Sequence, residues 1–122
     1  MQGRLGATGV LLLALMLQGQ ALNEAGSSEL VRQCKLAQGE AKTMQDTTKL
    51  SDALQCMRYI EGFVAGVSTA QQARPFCVPN TTRMIEEVNS FVRWMDKHTD
   101  TWNQPKHVTL LKALGESYPC PK

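Results

Sequence analysis

The chain has 122 residues, 43% of them hydrophobic, and its 13 basic and 11 acidic side chains give a net charge of +2. That length fits a single domain. The charges are nearly balanced and interspersed, which leaves no basic footprint for nucleic acid or an anionic membrane surface. A partner of such a surface would have to be recognised by shape.

Residues 1–21 read as a secretory leader. Arg4 supplies the positive start, and Val10-Leu11-Leu12-Leu13-Ala14-Leu15-Met16-Leu17 is an apolar run too short to cross a bilayer as a stable helix. Gly19-Gln20-Ala21 is a small-x-small cleavage signal, so the cut is placed after Ala21; the competing reading is an uncleaved anchor. The expected mature domain is 22–122, with 12 basic residues against 11 acidic ones and no second membrane segment.

Leu22 to Ser28 is a small-residue stretch expected to fray. From Glu29 to Gln38, Leu30, Val31, Cys34 and Ala37 fall at helical spacing and predict a short first helix. Gly39 to Lys49 is polar and reads as a loop. Ser51-Asp52 is the expected cap of a second helix, in which Leu54, Met57, Ile60, Val64 and Val67 keep a 3.6-residue period. Tyr59, Phe63 and Ala70 make a second apolar side, which suggests a central position. Gly62, Gly66 and Ala70 form a row of small residues along it. Each glycine inside a helix costs about 1 kcal/mol against alanine, so either a close neighbouring helix or a groove for self-association or a ligand is expected to offset it.

Arg74-Pro75-Phe76-Cys77-Val78-Pro79-Asn80 breaks the pattern with two prolines. A third helix is expected from Asn80 or Thr81, with Met84, Val88, Phe91 and Met95 buried, Ile85 and Val92 beside them, and Glu86, Glu87, Arg93 and Lys97 in water. Asn80-Thr81-Thr82 is a formal glycosylation sequon if a eukaryote secretes the chain; otherwise Asn80 reads as the helix cap. Thr99 to Asn103 is a polar connection carrying Trp102. Pro105 fits the first turn of a fourth helix with Val108, Leu111, Leu114 and Tyr118 inward, and Pro119-Cys120-Pro121 ends the chain rigidly. With no two-residue alternation anywhere, the fold class is all-α: a single small bundle of about four helices, with largely antiparallel neighbours.

Four cysteines, Cys34, Cys56, Cys77 and Cys120, follow the leader, and an exported chain with an even number of them implies two disulfides. An antiparallel hairpin brings Cys34, late in the first helix, level with Cys56, early in the second. Cys77 and Cys120 meet at one end of the next hairpin. Cys34–Cys56 and Cys77–Cys120 are therefore favoured, with Cys34–Cys120 and Cys56–Cys77 as the alternative, since sequence does not fix connectivity. Loops of that length would contribute roughly 3 and 4 kcal/mol by chain entropy.

Bonded sulfurs leave no thiolate for catalysis or for zinc, and the spacing lacks the close ligand pairs of a zinc site. No GxSxG, HExxH or phosphate loop occurs. Glu86-Glu87 with Asp96 or Asp100 could pair as acid and base, but carboxylates at those helical phases usually form a solvated face. No catalytic, metal or cofactor site is expected.

Glu29-Leu30-Val31-Arg32-Gln33-Cys34, then Cys56-Met57-Arg58-Tyr59-Ile60-Glu61-Gly62-Phe63-Val64-Ala65-Gly66, then Phe76-Cys77-Val78-Pro79, and Ala113-Leu114 with Tyr118-Pro119-Cys120 resemble the Rap/Tai family across about residues 29–121. These are bacterial immunity (resistance-associated) proteins of type VI secretion systems. The resemblance implies an all-helical, periplasmic protein that binds and blocks a peptidoglycan amidase toxin, commonly as a homodimer, and so a toxin inhibitor rather than an enzyme. Members often carry His-Pro after the third helix, where this chain has His98-Thr99.

An inhibitor of this kind needs a rigid surface with a few desolvated anchors. The connection from Asp96 to Lys106 is the expected partner-binding element, with Asp96, His98, Asp100 and Trp102 as its residues and Trp102 as anchor, because a large aromatic in a polar connection fits a binding hot spot. The competing reading folds Trp102 back over the core. The competing function is a structural or chaperone-like envelope protein without a toxin partner.

Overall fold

The computed structural model describes residues 26–39, 45–70 and 73–122, and the leader assigned to Met1–Ala21 lies outside the described residues. Four α-helices follow in order: α1 (Ser27–Ala37), α2 (Thr47–Ser68), α3 (Met84–Lys97) and α4 (Lys106–Ser117), with one 3-10 turn, Thr99–Thr101, between the last two. No strand occurs among the described residues. Cys34 is bonded to Cys56 and Cys77 to Cys120, the favoured pairing. The bundle is therefore all-α and doubly crosslinked, and its sulfurs are chemically occupied.

Helix starts differ from the sequence reading, each for a local reason. Helix α1 begins at Ser27 rather than Glu29. Ser27 is fully buried, and its N–H and Oγ–H both donate to the Gln104 carbonyl, at 3.0 and 2.6 Å. With its one hydroxyl proton so used, Ser27 Oγ accepts from Thr109 Oγ1 at 2.6 Å. Ser28 N–H donates to the Trp102 carbonyl at 3.0 Å. The first donors of α1, orphaned in any helix, are thus satisfied by the α3–α4 connection instead of by a side-chain cap. Ser27 and Ser28, at the described end of the stretch expected to fray, are pinned.

Helix α2 starts at Thr47, ahead of Ser51-Asp52, because the Asp46 carboxylate accepts the Thr48 and Lys49 N–H groups at 3.0 and 3.2 Å. Asp52 lies inside the helix and pairs with Arg32 of α1 at 2.9 Å. Helix α3 starts at Met84, not at Asn80 or Thr81. Asn80 sits exposed in a turn closed by Thr82 N–H to the Pro79 carbonyl at 3.0 Å, and it caps nothing. The cap is built at Arg83, whose backbone N–H donates to the Glu86 carboxylate at 2.8 Å, a carboxylate well placed at a helix N-terminus.

Helices α1 and α3 each pack against the other three. They form the inner pair, flanked by α2 and α4, so α2 is not central. Val31, Cys34, Cys56, Ile60, Val88, Phe91, Met95, Leu110 and Leu114 make the shared core. Phe76, from the extended segment before α3, closes it with its ring 6.0 Å from that of Phe63. Leu111, expected inward, is exposed. Gly62 and Gly66 face open space: an added Cβ at either would meet nothing within 4 Å. No neighbouring helix of this chain therefore explains the small-residue row among the described residues.

Helix α3 buries more of its surface than its sequence pattern suggested. Glu86 is exposed, but Glu87 is only 6% exposed and Trp94 only 7%. Glu87, Phe91 and Trp94 extend the apolar stripe by one further row, at spacings of four and three residues. One oxygen of the Glu87 carboxyl has no partner among the described residues.

Candidate partner-binding face

The end of α3 and the connection after it hold all four residues singled out as partner-binding. Asp96 is exposed and pairs with Lys35 of α1, Nζ to Oδ1 at 2.8 Å. Asp100 is exposed in the 3-10 turn. Trp102 is half-buried: its indole N–H donates to the Met95 carbonyl at 2.8 Å, its ring packs against the core, and Lys35 Nζ lies 5.4 Å from the ring centroid. This geometry closes the core at that end of α3 and presents one edge of the indole outward. The Lys35 ammonium is shared between Asp96 and Trp102, tying α1 to the connection.

His98 points to the other flank of α3. Its ring is stacked on Trp94, centroids 3.9 Å apart and planes 12° from parallel. Its Nδ1 lies 2.7 Å from the Trp94 carbonyl. A carbonyl can only accept, so Nδ1 carries the proton and the neutral ring leaves Nε2 as its bare nitrogen. Three of the four thus fall on two flanks of one helix end: Asp96 and Trp102 toward α1, and His98, stacked on Trp94, toward α4.

On the α4 flank a small cleft of about 200 Å³ is lined by Ser90, Arg93, Trp94, Lys97, His98 and Glu116. Arg93 and Lys97 are exposed and form no ion pair among the described residues. Trp94, absent from the sequence-based candidates, is the floor of this cleft. The i, i+4 pair Trp94–His98 could have been found from spacing had Glu87 been placed inward, since Glu87, Phe91, Trp94 and His98 make one continuous row.

A wider depression opens between α1, α2 and the start of α4, with Glu29, Gln33, Gln55, Arg58, Tyr59 and Lys106 around it. Arg58 apart, its polar walls are already self-paired. Arg32 donates to Glu29 and pairs with Asp52, which holds the Glu29 carboxyl below its usual range. Gln33 donates to Gln55 at 2.9 Å, and Lys106 Nζ lies 4.3 Å from the Tyr59 ring centroid. Among the described residues no group of three or more His, Cys, Asp and Glu is arranged to hold a metal ion.

The family model of the Rap1a immunity proteins matches residues 26–120, from the pinned start of α1 to the last cysteine. This chain belongs to that family. No curated protein and no solved structure matches it. Membership in the Rap1a family carries an immunity role and implies a protein toxin as partner. Among the described residues no helix is long and apolar enough to cross a membrane.

Proposed function

We propose that this protein is a periplasmic immunity protein that binds a peptidoglycan amidase toxin and silences it by covering the active cleft, without chemistry of its own. The match to the Rap1a immunity proteins over residues 26–120 carries this reading. The fold supports it physically: two disulfides and the hydrogen bonds from Ser27 and Ser28 to the connection before α4 hold the surface at the end of α3 in one arrangement before any partner arrives. A pre-ordered surface avoids the cost of ordering on binding. We place the contact at Asp96, His98, Asp100 and the exposed edge of Trp102.

The test is protection of living cells. Periplasmic production of a type VI peptidoglycan amidase lyses the host; co-production of the full chain is expected to restore growth, and a version lacking Met1–Ala21 is expected not to. If the purified protein leaves peptidoglycan cleavage by a panel of such amidases at its original rate, the proposal fails.

A further inference from the structure

We propose that the cleft between α3 and α4 is a carboxylate-receiving pocket for an acidic side chain of the protein partner. The inference deepens the immunity reading and rests on it for the partner's being a protein. Charge, an unspent donor and shape agree on the occupant.

The mouth carries Arg93 and Lys97, two full positive charges whose side chains are exposed and engage no carboxylate among the described residues, against the single negative charge of Glu116. Beside the α1–α2 depression Arg58 is a single exposed guanidinium with no ion pair among the described residues, and other basic groups are already engaged. Arg32 is held by Glu29 and Asp52, Lys35 by Asp96, and Lys106 lies over Tyr59. Arg93 and Lys97 lie one helical turn apart, so both reach the same point above α3.

The floor is Trp94, whose indole N–H is buried without an acceptor among the described residues. Buried donors are paired in the great majority of proteins, and here the unpaired one belongs to the residue that lines the cleft. His98 forms the wall. Its Nδ1–H is committed to the Trp94 carbonyl, and its ring covers one face of the Trp94 indole. The volume of about 200 Å³ is ample for a carboxylate on a short side chain. An Asp or Glu side chain is thus matched on charge, hydrogen-bond sense and size, as expected where electrostatic complementarity sets specificity.

Two measurements test this. In the first, the isotopically labelled protein is titrated with the capped peptide acetyl-Gly-Glu-Gly-amide and, separately, with its Gln counterpart. The Trp94 indole N–H resonance is expected to move with the Glu peptide only, while that of Trp102, already bonded to Met95, stays in place. The Arg93→Gln/Lys97→Gln variant is expected to weaken the effect at least tenfold. Equal responses to both peptides, or an unchanged response in the variant, overturn the proposal. In the second, an amidase that the wild-type chain inhibits is challenged with Arg93→Glu/Lys97→Glu, whose exposed positions leave melting unaltered. Its inhibition constant is expected to rise at least tenfold, and inhibition within twofold of wild type overturns the pocket while leaving the immunity reading intact. If the wild-type chain inhibits no amidase, it is the immunity reading that fails, and the peptide titration still decides the pocket.

Discussion

Two buried polar residues, Ser27 and Glu87, show opposite solutions to one problem. Ser27 finds a partner for its hydroxyl proton in Gln104 and accepts from Thr109. Replacing it with alanine leaves the Thr109 hydroxyl facing an apolar methyl and removes one bond to the Gln104 carbonyl, so Ser27→Ala is expected to destabilise the domain by about 1–3 kcal/mol, read from denaturant unfolding. Gly26 is constrained beside it, because a Cβ there would stand 2.7 Å from the Gln104 carbonyl oxygen. Glu87 leaves one carboxyl oxygen unpaired. Burial, with Glu61 adding repulsion, raises its carboxyl above the ordinary range. Its protonated form is therefore favoured in the fold, so its contribution to stability is full below the ordinary carboxylate range and lost as pH rises through the raised value. Glu87→Gln is expected to flatten that dependence and to add roughly 1 kcal/mol at neutral pH, where the charged form is disfavoured. Melting curves across pH 4.5 to 7.5 check it; a steeper slope in the variant would contradict the assignment.

At the scale of the element, the outward face of α2 carries a cost that nothing among the described residues offsets. Gly62 lies inside α2 and Gly66 in its last turn, both beside open space. Alanine at both is expected to stabilise the domain by about 1 kcal/mol per site, seen as a melting temperature several degrees higher. The third helix taught a different lesson. Its core stripe was legible from Val88, Phe91, Val92 and Met95. Its second row was not, because Glu87 reads as a surface residue until its neighbours are known, and Trp94 went with it. Caps were legible only where a cap residue is the chemical default. Asp46 is such a residue but competes with Ser51-Asp52 five residues on; Arg83 is not, since its cap comes from the Glu86 carboxylate reaching back.

For the whole molecule, the helix count, the all-α class and the pairing of the cysteines were legible because each follows from local periodicity plus antiparallel geometry. The inner position of α1 and the burial of Ser27 were not. Ser27 meets Gln104 and Thr109, 77 and 82 residues away, and no local pattern encodes that. The candidate face was half legible: its position came from Trp102 and its neighbours, but the cleft needed α4 to supply Glu116. The two crosslinks are unequal in consequence. Cys77–Cys120 closes the longer loop, 43 residues, and fastens the last residues to the segment before α3, where Cys77 N–H also donates to the Tyr118 carbonyl at 2.8 Å. Changing both cysteines to serine is expected to cost about 4 kcal/mol by loop entropy, against roughly 3 kcal/mol for the pair closing 22 residues. Comparing the two double variants by chemical denaturation measures the order.

The anchoring of Ser27 beside Trp102 and Gln104 also decides how the protein can be handled. Whatever precedes Gly26 must leave the fold next to the surface assigned to the partner. An affinity tag or fluorescent fusion joined there would crowd that surface and mimic a loss of binding. Lys122 lies beyond the far end of α4, a helix of 12 residues and hence about 18 Å long. Reporters belong on that terminus, behind a spacer, because Glu116 of the α3–α4 cleft lies only six residues before Lys122.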